Sequence, residues 1–162
     1  GKELMTENGL LTEQGSSTFW DRSTLYALRG IYIAGQADRA TEFLSHYARR
    51  RLLGDHVPYP IEAWPEGSQR HLAAESGLFC RVITEGLFGI RPTGFRSFDL
   101  TPSMPSGWNR MALRHIRAFE NNFDLVIEKQ PDGFLRVTLA ISGRNPRAFR
   151  LRQGASLRIK LP

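Results

Sequence analysis

The spacing of apolar residues changes period at Gly89, and that change limits what the chain can fold into. Before it, apolar residues recur every three or four positions; after it, they alternate. Leu25, Leu28, Tyr32 and Ile33 lie on one helical stripe that starts near Trp20, carries Asp21 at its positive dipole end and stops at Gly35. Ala37, Ala40, Phe43, Leu44, Tyr47 and Ala48 repeat the pattern, with Arg49, Arg50 and Arg51 in the last turn and Gly54 closing it. A third helix reads from Ser68 as N-cap toward Gly86 or Gly89. The spacing thus predicts helices over 20–35, 37–53 and 68–88, the first two forming an αα-hairpin. Ala73, Ala74, Ser76 and Gly77 lead us to expect close helix approach in the first half of the third helix, with burial on most of its sides.

Beyond Gly89, candidate strands run over 95–101, 111–119, 122–129, 134–141, 148–152 and 157–161. Glu120-Asn121-Asn122, Pro131-Asp132-Gly133 and Gly143-Arg144-Asn145-Pro146 separate them, which is the turn chemistry of antiparallel hairpins. The domain expectation is a helical part over 1–92 with an extended lead-in over the first 20 residues, then an antiparallel β module over 93–162. Three broad apolar helix surfaces cannot all be buried among themselves. A missing upstream segment or self-association is therefore expected to complete the helical part.

Length and charge exclude little. At 162 residues and 41% apolar content the chain can bury a sizeable core. No apolar run is long enough for a membrane-spanning helix, so no membrane partner is expected, and the compartment is unreadable. The net charge of +6 is spread between one helix end and alternating strand positions. It forms neither a basic patch nor an aromatic and basic platform, so nucleic acid is not an expected partner. The single Cys80 supports neither a disulfide nor a thiolate metal site; it reads as a small hydrophobe inside a helix.

The loop over 55–67 is long enough to carry function. It holds Glu62 and Glu66 around Trp64, stiffened by Pro58, Pro60 and Pro65. Carboxylates beside a flat apolar ring suit a sugar, whose C–H face packs on the ring while an acid or base works at the glycosidic bond. Trp20 is a second stacking candidate with core packing as the equal alternative, and His71 can meet a sugar hydroxyl or be a satisfied structural histidine. No other histidine completes a metal site with His71, and the sequence calls for no cofactor. Glu85 stands four residues after Arg81, the spacing of a helix-surface ion pair. Glu75 lies among small residues, where it is either paired with an arginine such as Arg70 or close to a pocket. Asp21 reads as a helix-start acid.

The segment from Ser76 to Trp108 resembles the closing helix and first strand of six-hairpin glycosidases and the related cellobiose-type phosphorylases. The likeness is carried by Phe79 to Arg81, Gly89 to Pro92, Phe98 to Leu100 and Pro102 to Trp108. Trp20 to Arg22 and the Glu-x-Trp loop at Glu62 extend it over most of residues 16–128. The resemblance implies an α+β chain: the last helical hairpins of an (α/α)6 barrel, followed by an antiparallel, sandwich-like β module. It also implies that Glu62 matches the general base of the α-L-rhamnosidase-like branch. Where the phosphorylase branch holds phosphate through a Thr-Gly step, the chain has Ala73 and Ala74, which favours hydrolysis. The functional expectation is the C-terminal portion of a glycoside hydrolase acting on oligo- or polysaccharide with inversion. Glu62 would be catalytic, and Trp64, Glu66, His71 and Trp20 would bind substrate. The general acid is expected from outside this chain, which alone should then be inactive. A non-catalytic carbohydrate-binding domain or a structural cap is the alternative.

Overall fold

The computed structural model describes residues 5–6, 9–11, 17–52, 62–64 and 73–162. It divides into two compact units, 1–87 and 88–162. The first contains β1 (Met5–Thr6) paired with β2 (Gly9–Leu10), β3 (Phe19–Trp20), α1 (Asp21–Ile33), α2 (Ala37–Leu52), β4 (Ala63–Trp64) and α3 (Ala73–Arg81), which runs into a π-helical segment, Val82–Leu87. The second, described below, is built of antiparallel strands.

The expected final hairpins of an (α/α)6 barrel are not what the chain forms. Among the described residues there are three short helices, of 13, 16 and 9 residues, beside antiparallel sheets, and this is a small α+β fold. The physical reason lies in α1. Its buried stripe of Asp21, Thr24, Leu25, Leu28 and Tyr32 meets partners inside its own unit, so no further hairpin is needed to cover it. Leu28, Tyr32, Ala40 and Val82 have no exposed surface. Burying a side chain such as Leu28 removes about 1.5–3 kcal/mol of unfavourable hydration. The Tyr32 hydroxyl shares a 2.9 Å hydrogen bond with the Thr41 hydroxyl, so α1 and α2 are joined by a polar contact as well as an apolar one. Burial pushes the Tyr32 phenol pKa up, and the Thr41 bond offsets part of that rise.

The close approach expected in the first half of α3 occurs in the π-helical segment instead. Ala73, Ala74 and Gly77 are exposed, as is Cys80, so α3 is not buried on most sides. Gly86 is the residue that needs to be small: a Cβ there would stand 3.0 Å from Cδ2 of Tyr32. Its absence lets the π-helical segment lie on the Tyr32 ring. The Thr84 hydroxyl donates back to the Cys80 carbonyl over 3.1 Å, a local bond that competes with the regular helical ladder. Thr84 lies in the first turn of the widened segment Val82–Leu87, and nothing in the apolar spacing announces it.

The second unit has two sheets. One is ordered β11-β6-β5, from β5 (Ile90–Gly94), β6 (Ser97–Leu100) and β11 (Leu157–Lys160). The other is the meander β10-β9-β8-β7, from β7 (Arg110–Ala118), β8 (Asn121–Lys129), β9 (Phe134–Ile141) and β10 (Arg147–Arg152). Alternation drives both. Leu135, Val137, Leu139 and Ile141 point inward along β9 while Arg136 stays out. Phe98 on β6 stacks on Phe119 and Phe123 at centroid distances of 5.7 and 6.0 Å, which joins the two sheets in one apolar layer. The strand β5 precedes the first expected strand, which was read from residue 95. Pro92 is tolerated there because β5 is an edge strand, with a register shift between Pro92 and Gly94.

The three-stranded sheet brings Arg91 and Arg158 opposite Asp99 from its two sides. Arg158 donates from both Nε and a terminal nitrogen to the carboxylate, and Arg91 adds a 3.3 Å contact. The hydrogen bonds from Arg158, and then the Arg91 side, hold the Asp99 pKa below the usual carboxylate value. A depressed folded pKa means stability that is present above the unfolded value of about 3.9 and is lost as pH falls through the lower folded value. Asp99→Asn should therefore flatten the acid limb of a stability-against-pH curve for this unit. An unchanged limb would contradict the assignment.

Glycine matters most at Gly89. Its φ is +66°, and a Cβ there would lie 2.0 Å from the Thr101 carbonyl oxygen, while Thr101 N–H donates to the Gly89 carbonyl over 3.0 Å. Gly89→Ala should cost more than about 2 kcal/mol in chemical denaturation. Gly77→Ala, with nothing within 4 Å, should instead stabilise by up to about 1 kcal/mol. Similar effects from the two changes would contradict this account of the backbone.

Candidate functional site

Two short strands bring distant parts of the first unit together. Phe19 of β3 pairs with Trp64 of β4, and Trp20 pairs with Ala63. The Asp21 N–H then donates to the Glu62 carbonyl over 2.9 Å, continuing the ladder by one step. Phe19 and Ala63 are buried on this ladder, whereas Trp20 remains 40% exposed. Glu62 is half-buried and takes part in no ion pair among the described residues. Of the five residues singled out from the sequence, Glu62, Trp20 and the backbone of Trp64 are thus adjacent. Glu66 and His71 lie outside the described residues.

Beneath the ladder sit two carboxylates without exposed surface, Asp21 and Glu75. Asp21 begins α1, as the sequence suggested, and its Oδ2 accepts a 3.0 Å hydrogen bond from the Tyr47 hydroxyl. The Tyr47 ring in turn stacks on Phe79 at 6.3 Å, so α2 and α3 converge on the start of α1. Glu75 is paired with an arginine, Arg22, while Arg70 lies outside the described residues. Two guanidinium nitrogens of Arg22 reach its Oε1, at 2.9 and 2.7 Å. The Oε2 atom is buried with no hydrogen-bond partner among the described residues. The signal for this pair was absent from the sequence because the residues are 53 positions apart.

Glu85 behaves as its spacing predicts. It accepts from Arg81, four residues earlier, and from Arg29 of α1 over 2.8 Å. The Arg81 hydrogen bond is the main cause holding its pKa below the ordinary glutamate range, with burial opposing. Glu85 therefore fastens the π-helical segment to α1 and has its oxygens occupied. Among the described residues no group of three His, Cys, Asp or Glu side chains could hold a metal ion. No helix among them is long and apolar enough to cross a membrane.

With this geometry in hand, comparison with protein-family models, characterised proteins and solved structures finds no match.

The Arg22–Glu75 pair is unequal, and the inequality can be measured. The Arg22 side chain is 52% exposed and the Glu75 side chain 0%. Removing the arginine strands a buried carboxylate, at a cost of about 3 kcal/mol, whereas Glu75→Gln leaves a guanidinium that water can solvate, at about 1 kcal/mol. Arg22→Ala should therefore lower stability more than Glu75→Gln in urea titrations. Equal losses, or the reverse order, would contradict the burial described here.

Proposed function

We propose that this chain supplies a sugar-binding edge and the general base of a glycoside hydrolase that cleaves oligo- or polysaccharide with inversion. The observation that supports the reading most is the ladder: a half-buried glutamate in no ion pair among the described residues, next to Ala63, the ladder partner of exposed Trp20, with its carbonyl held by the Asp21 N–H. A base needs access to a water molecule and freedom from a competing cation. Among the described residues Glu62 meets both conditions, whereas Asp21 and Glu75 are buried and engaged and Glu85 is occupied by two arginines.

In the proposed reaction the Glu62 carboxylate takes a proton from water as the water oxygen attacks the anomeric carbon. A second carboxylic acid, about 6.5–9.5 Å away, protonates the departing glycosidic oxygen. Trp20 offers its exposed ring to the C–H face of a pyranose. No second exposed carboxylate stands on this ladder among the described residues, so the acid is assigned to a segment outside them.

The test uses the gene product that carries this sequence. Glu62→Gln should lower turnover of an activated glycoside by about 10²–10⁴-fold while leaving the unfolding transition in place. Trp20→Ala should act mainly on KM. Unchanged turnover in Glu62→Gln would remove Glu62 as the base. Sugar binding without any turnover in the unaltered protein would instead favour a non-catalytic carbohydrate-binding role.

A further inference from the structure

The second unit carries a cleft of about 460 Å³ on its four-stranded sheet, within the size range of small-molecule sites. Its polar lining comes from His115, Arg117, Asn122, Asp124 and Ser142, on β7, β8 and the end of β9. Register explains the grouping. Arg117 is opposite Asn122, Asp124 is opposite Ala140, and the Ser142 N–H donates to the Asn122 carbonyl over 2.9 Å.

The backbone here departs from a plain hairpin. The β7–β8 register shifts between Leu113 and Ile116, and His115 within the shift has a φ of +56°. Holding a non-glycine residue in that region costs about 1–3 kcal/mol, and bulges of this kind re-aim side chains. The shift lets the His115 N–H donate to Asp124 Oδ1 over 2.8 Å, while Arg114 reaches Oδ2 at 3.2 Å. The Asp124 carboxylate is thereby fixed in place. The His115 N–H is the main cause of its lowered pKa, opposed by burial and aided by the Arg114 charge. Each of its oxygens keeps further lone-pair capacity for a hydroxyl donor.

Arg117 differs from its neighbours on β7. Arg110 is paired with Glu128 and Arg114 with Asp124, but Arg117 is in no ion pair among the described residues although it lines the cleft. We propose that this cleft is a binding site for a sugar acid: a hydroxyl-rich ring whose carboxylate pairs with Arg117 and whose hydroxyls bond to Asp124, Asn122 and Ser142. A planar guanidinium matches a carboxylate with two parallel hydrogen bonds. Asp124 disfavours a doubly charged phosphate at the same place. Recognition is mainly by hydrogen bonds, because Phe123, the one aromatic ring of the lining, is buried and stacked on Phe98. The cleft belongs to the second unit and Glu62 to the first, and its test does not depend on the hydrolase reading.

The experiment follows backbone amide shifts of the full chain during titration with galacturonate, galactose and inorganic phosphate. Galacturonate should shift the amides of Arg117, Asn122, Asp124 and Ser142, with galactose binding roughly tenfold more weakly. Arg117→Gln, an exposed substitution that leaves the fold intact, should bring galacturonate down to the galactose level. Asn122→Ala should weaken both sugars. The proposal is overturned if galacturonate leaves these amides unmoved at about 30 mM, well above a Kd of about 1 mM. It is equally overturned if galactose or phosphate binds as well as galacturonate, or if Arg117→Gln changes nothing.

Discussion

Two carboxylates with no access to water stand where the first unit comes together, and the arrangement around them follows from the need to satisfy them. Asp21 accepts from Tyr47 of α2, and Glu75 of α3 accepts from Arg22 of α1. Each contact joins elements far apart in sequence. Because leaving either carboxylate unpaired in the interior is costly, the start of α1 is held in one position relative to α2 and α3. Asp21 also donates its N–H to the Glu62 carbonyl, so the same residue that ties the helices holds the loop that carries the candidate base. The candidate ladder thus rests on a structural polar cluster. Its half-buried glutamate and partly exposed tryptophan are fixed by backbone bonds.

The parts of the fold that were legible in the sequence are those set by local periodicity. The stripe of Leu25, Leu28 and Tyr32 marks α1, and strict alternation along Phe134–Ile141 marks β9. What was not legible depends on contacts between distant positions. The barrel expectation treated the apolar helix faces as too broad to be covered from within. In the folded unit α2, α3 and the π-helical segment cover α1, and Gly86 makes that possible by admitting the Tyr32 ring. The turn between β7 and β8 shows the same limit. Polar Glu120-Asn121-Asn122 looks like the loop, yet the ladder closes at Ala118 and Asn121 and leaves Phe119 and Glu120 as the turn, both at positive φ. Phe119 is kept there by stacking on Phe98, a contact from another sheet.

The candidate site was legible in residue type but not in arrangement. A glutamate and tryptophans around prolines suggested sugar chemistry, and Trp20 and Glu62 do meet on one ladder. Glu75 drew notice as a carboxylate among small residues, but its partner proved to be Arg22, reached across the helix pair. The cleft in the second unit left no trace in the pattern at all. His115, Arg117 and Asp124 simply fall inside the expected strands over 111–119 and 122–129, and only the register shift between Leu113 and Ile116 gathers them.

The central claim is that Glu62 activates water for attack on a glycosidic carbon, and the stereochemistry of the first product tests it most directly. Proton NMR of the gene product's reaction, recorded before the released sugar mutarotates, distinguishes the two anomers. The account predicts a product anomer opposite to that of the substrate bond, because water attacks from the face away from the leaving group. A product with the substrate's own configuration would require a covalent intermediate on a nucleophilic carboxylate, and would contradict the role given to Glu62.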